Sequence, residues 1–250
     1  MADIIAVNIQ LHKNIKVNRQ KAEEAIADQH MLPVVVSEFL KLVVEFPILM
    51  SKNQETGHFV CIALLGFEHG ENLFWNKARF NSLYSPLNVA RHPFFVGGYD
   101  EREKQRVIDI DQDSHSISPN DGEALFTQDN RPSHYLLEIK QILAELLKGE
   151  IHTQAYIKSL VKHDLLMPLK LDITFADKSQ RQIKGLYSID EEKLNSISIE
   201  VLNELKHAGY LQYIYTQIAS LGQIYALIER KNIRLNTLSP WLQTNLTSHA

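Results

Sequence analysis

The chain has 250 residues, 44% of them hydrophobic and 22% charged, which suits a folded core in one large domain or two small ones and excludes wholesale disorder. Lys and Arg number 26 against 30 Asp and Glu, and no stretch gathers a basic cluster, so no nucleic-acid partner is expected. No window approaches the roughly 18 consecutive apolar residues of a membrane helix. The best, Pro33 to Met50, is broken by Ser37, Glu38, Lys41 and Glu45, and the start of the chain carries no basic leader, so a cytoplasmic protein without a membrane span is predicted.

Val7 to Val17 reads as an extended arm and Asn18 to Gln29 as a loop or short helix. Pro33 to Val36 is β-like. Ser37 and Glu38 then start a helix that turns Phe39, Leu40, Val43 and Val44 inward and ends at Pro47, because proline pushes its predecessor out of the α region. Pro47 to Lys52 and His58 to Gly66 flank a polar turn as a hairpin, and the second arm is apolar on both faces, which predicts a central strand. That arm holds the single cysteine, Cys61, expected as a buried thiol. Pro93 to Val96 is a further apolar segment closed by Gly97 and Gly98, and Arg106 to Asp111 alternates like a half-buried strand.

After polar residues 111–121 and the short segment Gly122 to Phe126, Pro132 and Ser133 precede a long amphipathic helix. It presents Leu136, Leu137, Ile139, Leu143, Leu146 and Leu147, and Pro168 stops its continuation. Leu169 to Ala176 and Gln182 to Ile189 form a hairpin around residues 177–181. Asp190 and Ser198 cap two short helices, Gly209 ends the second, Leu211 to Glu229 is the last helix, and a weakly patterned tail follows. The predicted class is α+β: an antiparallel β-sheet of four to five strands packed with helices, plus a C-terminal β-hairpin and helices. Residues 1–230 form one domain, in which a sheet-rich part, 1–126, and a helix-rich part, 127–230, share a core; 231–250 is the tail.

Spacing decides among the candidate chemistries. His69-Gly70-Glu71 matches half of a two-histidine, one-carboxylate iron site, yet it sits on a turn with no privileged second histidine. Asp109, Asp111 and Asp113, with His115 nearby, begin like a calcium loop, but Ser114 stands where the glycine belongs and the distal glutamate is missing; a solvated strand edge explains them as well. No phosphate loop or nucleophile elbow is present. Arg91-His92-Pro93-Phe94-Phe95 sets a cation and an imidazole before an aromatic run, suited to an anionic or aromatic ligand; the structural alternative is that Arg91 pairs with a carboxylate while a phenylalanine fills core. Tyr210, Tyr213, Tyr215 and Tyr225 either line a groove or pack at the core boundary.

Four stretches together resemble the bacterial SapC-like family: Val7-Asn-Ile-Gln-Leu-His-Lys-Asn14, Gly70-Glu-Asn-Leu-Phe74, Arg91-His-Pro-Phe-Phe95 and Gly122-Glu-Ala-Leu-Phe126, with Ser188 to Leu194 and Ser220-Leu-Gly222 in support. The family is named from a surface-layer gene cluster and shares its name with a peptide-permease component, a transport reading that the lack of membrane spans sets aside. The resemblance supplies no reaction and no catalytic residues. Its members are often encoded near halogenase-like proteins, cupin-like hydroxylases and TonB-dependent receptors, which implies an accessory role beside such enzymes or in uptake. The expectation is therefore a binding or accessory protein without a cofactor. It grips a protein or peptide partner near Arg91, His92, Phe94, Phe95, Trp75 and Asn72, and a homodimer is compatible with it. The rival is a metal-assisted enzyme using Asp109, Asp111, His115 or His92.

Overall fold

Antiparallel pairing organises every sheet of the protein, a computed structural model of which describes residues 3–53, 56–100 and 105–235. The chain groups into two compact units, each discontinuous in sequence: residues 3–27 with 75–150, and residues 28–74 with 151–235. This differs from a division into 1–126 and 127–230. The segments are assigned by which parts of the chain lie close together after folding, which sequence order does not reveal.

In the first unit the strand Gln105–Asp111 lies between Ile4–Ala6 and Phe94–Asp100. The alternation of this strand turns Ile108 and Ile110 to the face that packs with Phe94 and with Leu136, Ile139 and Leu143 of the long helix His134–Lys162. Gly97 and Gly98 do not close their strand; they sit inside it, where the register shifts between Val96 and Tyr99. A Cβ on Gly97 would lie 2.4 Å from a carboxylate oxygen of Asp109, so glycine lets the two backbones approach. The N-terminal arm is not extended throughout. Asn8 accepts a hydrogen bond from the Leu11 amide at 2.9 Å and caps a helical turn, Ile9–His12, ahead of the strand Lys16–Val17. That strand is the middle of a second small sheet, and Gly122, at φ +109°, passes its backbone against the Val17 carbonyl.

The second unit holds a five-stranded sheet in the order Leu166–Thr174, Gln180–Ile189, Ile48–Lys52, Phe59–Leu64, Met31–Pro33. Phe59–Leu64 is central, as its two apolar faces require, and Cys61 within it is buried. The C-terminal hairpin belongs to this same sheet through Leu186 opposite Ser51 and Tyr187 opposite Met50, whereas the strands of residues 94–111 went to the other unit. Pro168 does not stop the long helix, which ends at Lys162; it lies in the edge strand, where a missing amide can face away from the ladder.

Three further expectations change. The helix after Ser37 is one short turn, Phe39–Leu42, that buries Phe39 and Leu42 and leaves Leu40 and Val44 exposed. Residues 211–229 are not one helix: Tyr210–Ser220 and Gln223–Arg234 meet at Leu221 and Gly222. Residues 231–235 are not tail either, since Lys231 and Asn232 are buried and Asn232 accepts a hydrogen bond from the Ala176 amide at 3.0 Å. Residues 236–250, the rest of that predicted tail with Trp241, lie outside the described residues. Tyr210 and Tyr213 stack edge-on to the fully buried Tyr156, while Tyr215 and Tyr225 are exposed.

Candidate functional site

The residues expected to hold a partner divide by burial and by unit. Phe94 is 0% exposed and belongs to the core of the first unit, so it cannot touch a partner directly. Asn72 is 1% exposed in the second unit; its side chain accepts from the Phe74 amide at 2.9 Å and its carbonyl from Arg234 at 2.8 Å, a structural brace. Trp75 is half-buried in the small hairpin opposite Phe80. Arg91, His92 and Phe95 do converge. The Arg91 guanidinium donates to Asn88 Oδ1 and to the Phe94 carbonyl, both at 2.8 Å, and lies 4.5 Å from the centre of the Phe95 ring. Among the described residues no carboxylate pairs with it, contrary to the structural alternative, and burial lowers its pKa.

The His92 imidazole meets the Phe95 ring edge-on, and burial, helped by the Arg91 charge, pushes its pKa down from 6.5 to about 4. The unfolded chain therefore binds more protons than the fold between those values, so stability is full above pH 6.5 and falls as pH drops toward 4. The His92 contribution is at most about 3 kcal/mol. Urea midpoints measured across this range should fall less steeply for His92→Gln than for the parent chain. Some slope will remain, because burial also lowers the pKa of His30.

The metal candidates do not converge. Asp109 lies against Gly97, Asp111 accepts from the Asp113 amide at 3.1 Å, Asp113 accepts from the Asp3 amide at 3.2 Å, and His115 is exposed in the following turn. Glu71 of the His69-Gly70-Glu71 segment is taken by Lys231 at 2.5 Å and by the Phe67 amide at 3.0 Å. Among the described residues no group of three potential ligands could hold a metal ion.

The first unit carries a feature that reading the sequence missed. A groove runs between the long helix and the strands Phe94–Asp100 and Gln105–Asp111 as two adjoining lobes that share Arg106, Val107, Ile108 and Lys140. One lobe, of about 180 Å³, is completed by Val96, Leu143, Ala144 and Leu147. The other, of about 240 Å³, is completed by Val7, Phe126, Pro132, Leu136 and Leu137. The core stripe of the helix is Leu136, Ile139, Leu143 and Leu146, all buried. Leu137, Lys140, Ala144 and Leu147 repeat with the same three-and-four spacing about 100° round the helix, and this second stripe is open: Leu137 is 48% and Leu147 38% exposed, beside Val96 at 37%. Two interleaved repeats were the available signal, and merging them into one inward face concealed the second. The second unit has a wider trough of about 710 Å³ lined by Lys52, Phe59, Lys158 and Lys162, of which Lys162 is already paired with Glu204.

The described residues thus form an α+β protein in which an open, largely apolar groove runs beside a long helix. The chain belongs to the SapC family, whose model matches residues 7–227. No curated protein and no solved structure matches it. Among the described residues no helix is long and apolar enough to cross a membrane.

Proposed function

We propose that this chain is a cytoplasmic binding or accessory protein that holds a protein or peptide partner, and that the groove beside the long helix is where it does so. The observation that supports this reading is the open stripe of Leu137, Ala144 and Leu147 beside Val96, an apolar surface that the described residues leave uncovered. The family resemblance directs the search for partners to halogenase-like enzymes, hydroxylases and components of TonB-dependent uptake.

A second contact point is favoured by Arg91. It stands with Phe95 on the sheet face opposite Val96 and Ile108, as a half-buried cation held by neutral acceptors. The metal-assisted alternative rests on side chains that point to separate local partners, so it gains no support from their geometry.

The test is cross-linked affinity capture from the native host, with mass spectrometry of the retained proteins. A specific partner should be recovered with the parent chain and reduced about tenfold or more by Leu137→Glu combined with Leu147→Glu, both already exposed and so tolerant of charge. Recovery unchanged in that variant but lost in Arg91→Ala would move the site to the other face. Recovery unchanged in both would remove both sites.

A further inference from the structure

Resting on the reading of Arg91 as a second contact point, we infer that Arg91, with His92 beside it, holds a carboxylate that carries a single negative charge. Arg91 stands apart from Arg19, Arg181 and Arg230, each of which meets a glutamate. It is half-buried, yet its two hydrogen bonds go to Asn88 Oδ1 and to the Phe94 carbonyl, and Nη2 bonds no described residue. Burial lowers its pKa, with no described charge to offset the effect. A cation drawn partly out of water without a counter-charge carries a cost that an arriving anion removes.

The acidic residues of the same unit lie elsewhere. Asp109 faces Phe95 across the ladder, but its carboxylate lies against Gly97, two residues further along the strand. From Phe95 the strand runs roughly 16 Å before the chain reaches Asp100, Glu101 and Glu103, whose side chains are undescribed. Residues 1–2 and 236–250 contain no Asp or Glu, and Glu55 belongs to the second unit.

The chemistry fits a monoanion. Arg91 brings one positive charge and His92 brings none at neutral pH, because its pKa is pushed down to about 4. The imidazole can still donate one N–H, since no described residue bonds its ring nitrogens. A carboxylate is matched charge for charge and takes the remaining guanidinium N–H bonds in its own plane. A dianion would keep a charge unmatched. Phe95, its ring centre 4.5 Å from the guanidinium carbon, and the two hydrogen bonds hold the donor in place before a ligand arrives.

The probe is benzoate, with benzamide as its uncharged counterpart and sulfate as a dianion, each added to the full chain at constant ionic strength. NMR follows the Nε–H signal of Arg91, identified by its loss in Arg91→Lys. Benzoate should shift that signal saturably, and benzamide and sulfate should each bind at least about tenfold more weakly, the worth of one charge-assisted hydrogen bond. The comparison is made on the parent chain, so it does not depend on a variant folding. No saturable shift with benzoate, benzamide binding as well as benzoate, or sulfate binding as tightly or more tightly would each overturn the inference. Adding benzoate to the partner capture then distinguishes the sources of the carboxylate. Loss of an Arg91-dependent partner places it on that partner, as an Asp, a Glu or a chain end. Capture indifferent to both benzoate and Arg91→Ala, with benzoate still bound, makes the ligand a free acid, and the contact-point reading alone falls. Capture that needs Arg91 in a chain that does not bind benzoate leaves the contact point and removes the carboxylate.

Discussion

Phe94→Ala is expected to destabilise the first unit by about 3–5 kcal/mol, the usual cost of emptying a buried aromatic site. The ring is fully buried, meets Tyr135 edge-on at 5.9 Å and lies opposite Ile110 in the central strand, among Leu136, Ile139 and Leu143. Its neighbour gives the control. Phe95 is half-buried on the other face, and Phe95→Ala removes the Arg91 stack and the His92 edge contact for about 1–2 kcal/mol. Chemical denaturation of the two variants should separate them clearly. A Phe94→Ala chain of unchanged stability that no longer captures its partner would return Phe94 to the binding surface.

Lys231→Ala should cost a comparable amount, about 3–5 kcal/mol, in the second unit, because it strands a buried carboxylate. Lys231 donates to Glu71 at 2.5 Å and to Glu68 at 2.7 Å; the side chains of Lys231 and Glu71 are 11% and 9% exposed, while that of Glu68 is 41% exposed. Most of the loss therefore belongs to Glu71, since Glu68 can regain water. Lys231→Met combined with Glu71→Gln should recover much of the stability, as the amide oxygen can still accept from the Phe67 amide, now made by Glu71 at 3.0 Å. A double-mutant cycle by urea denaturation checks this. Additive losses from the two single variants would show that the pair is not coupled.

Features set by neighbours in sequence were legible without coordinates. Asp190 accepts from the Lys193 amide at 3.0 Å and Ser198 from the Val201 amide at 3.4 Å, both as the caps that their positions before helices predict. Gly209 takes φ +75° at the end of the helix Ile199–His207, and the hairpin around residues 177–181 pairs Thr174 with Gln180. The alternation of residues 106–111 and the central position of Phe59–Leu64 likewise follow from periods of two and from apolarity on both faces. Asn8 offered the same kind of signal before Ile9–His12, but in a polar, irregular segment the helical turn is too short to leave a periodic pattern.

The candidate site was less legible, because its parts meet only by folding. The motif at residues 91–95 identified Arg91, His92 and Phe95 as neighbours, but Phe94 could not be told from Phe95 until the sheet acquired an inner face. Likewise, Leu137 and Leu147 look like the other leucines of their helix until the strand bearing Val96 and Arg106 leaves a groove above them. Lys231 read as the edge of a tail, and only packing brought it to Glu71, 160 residues earlier in the chain. By itself, then, the sequence determined the class, the caps, the turns and the strand periods, since these depend on hydrogen bonds and sterics within a few residues. Tertiary structure decided which strands share a sheet, which aromatic is core and where the surface stays open, since those depend on area buried between segments far apart in the chain.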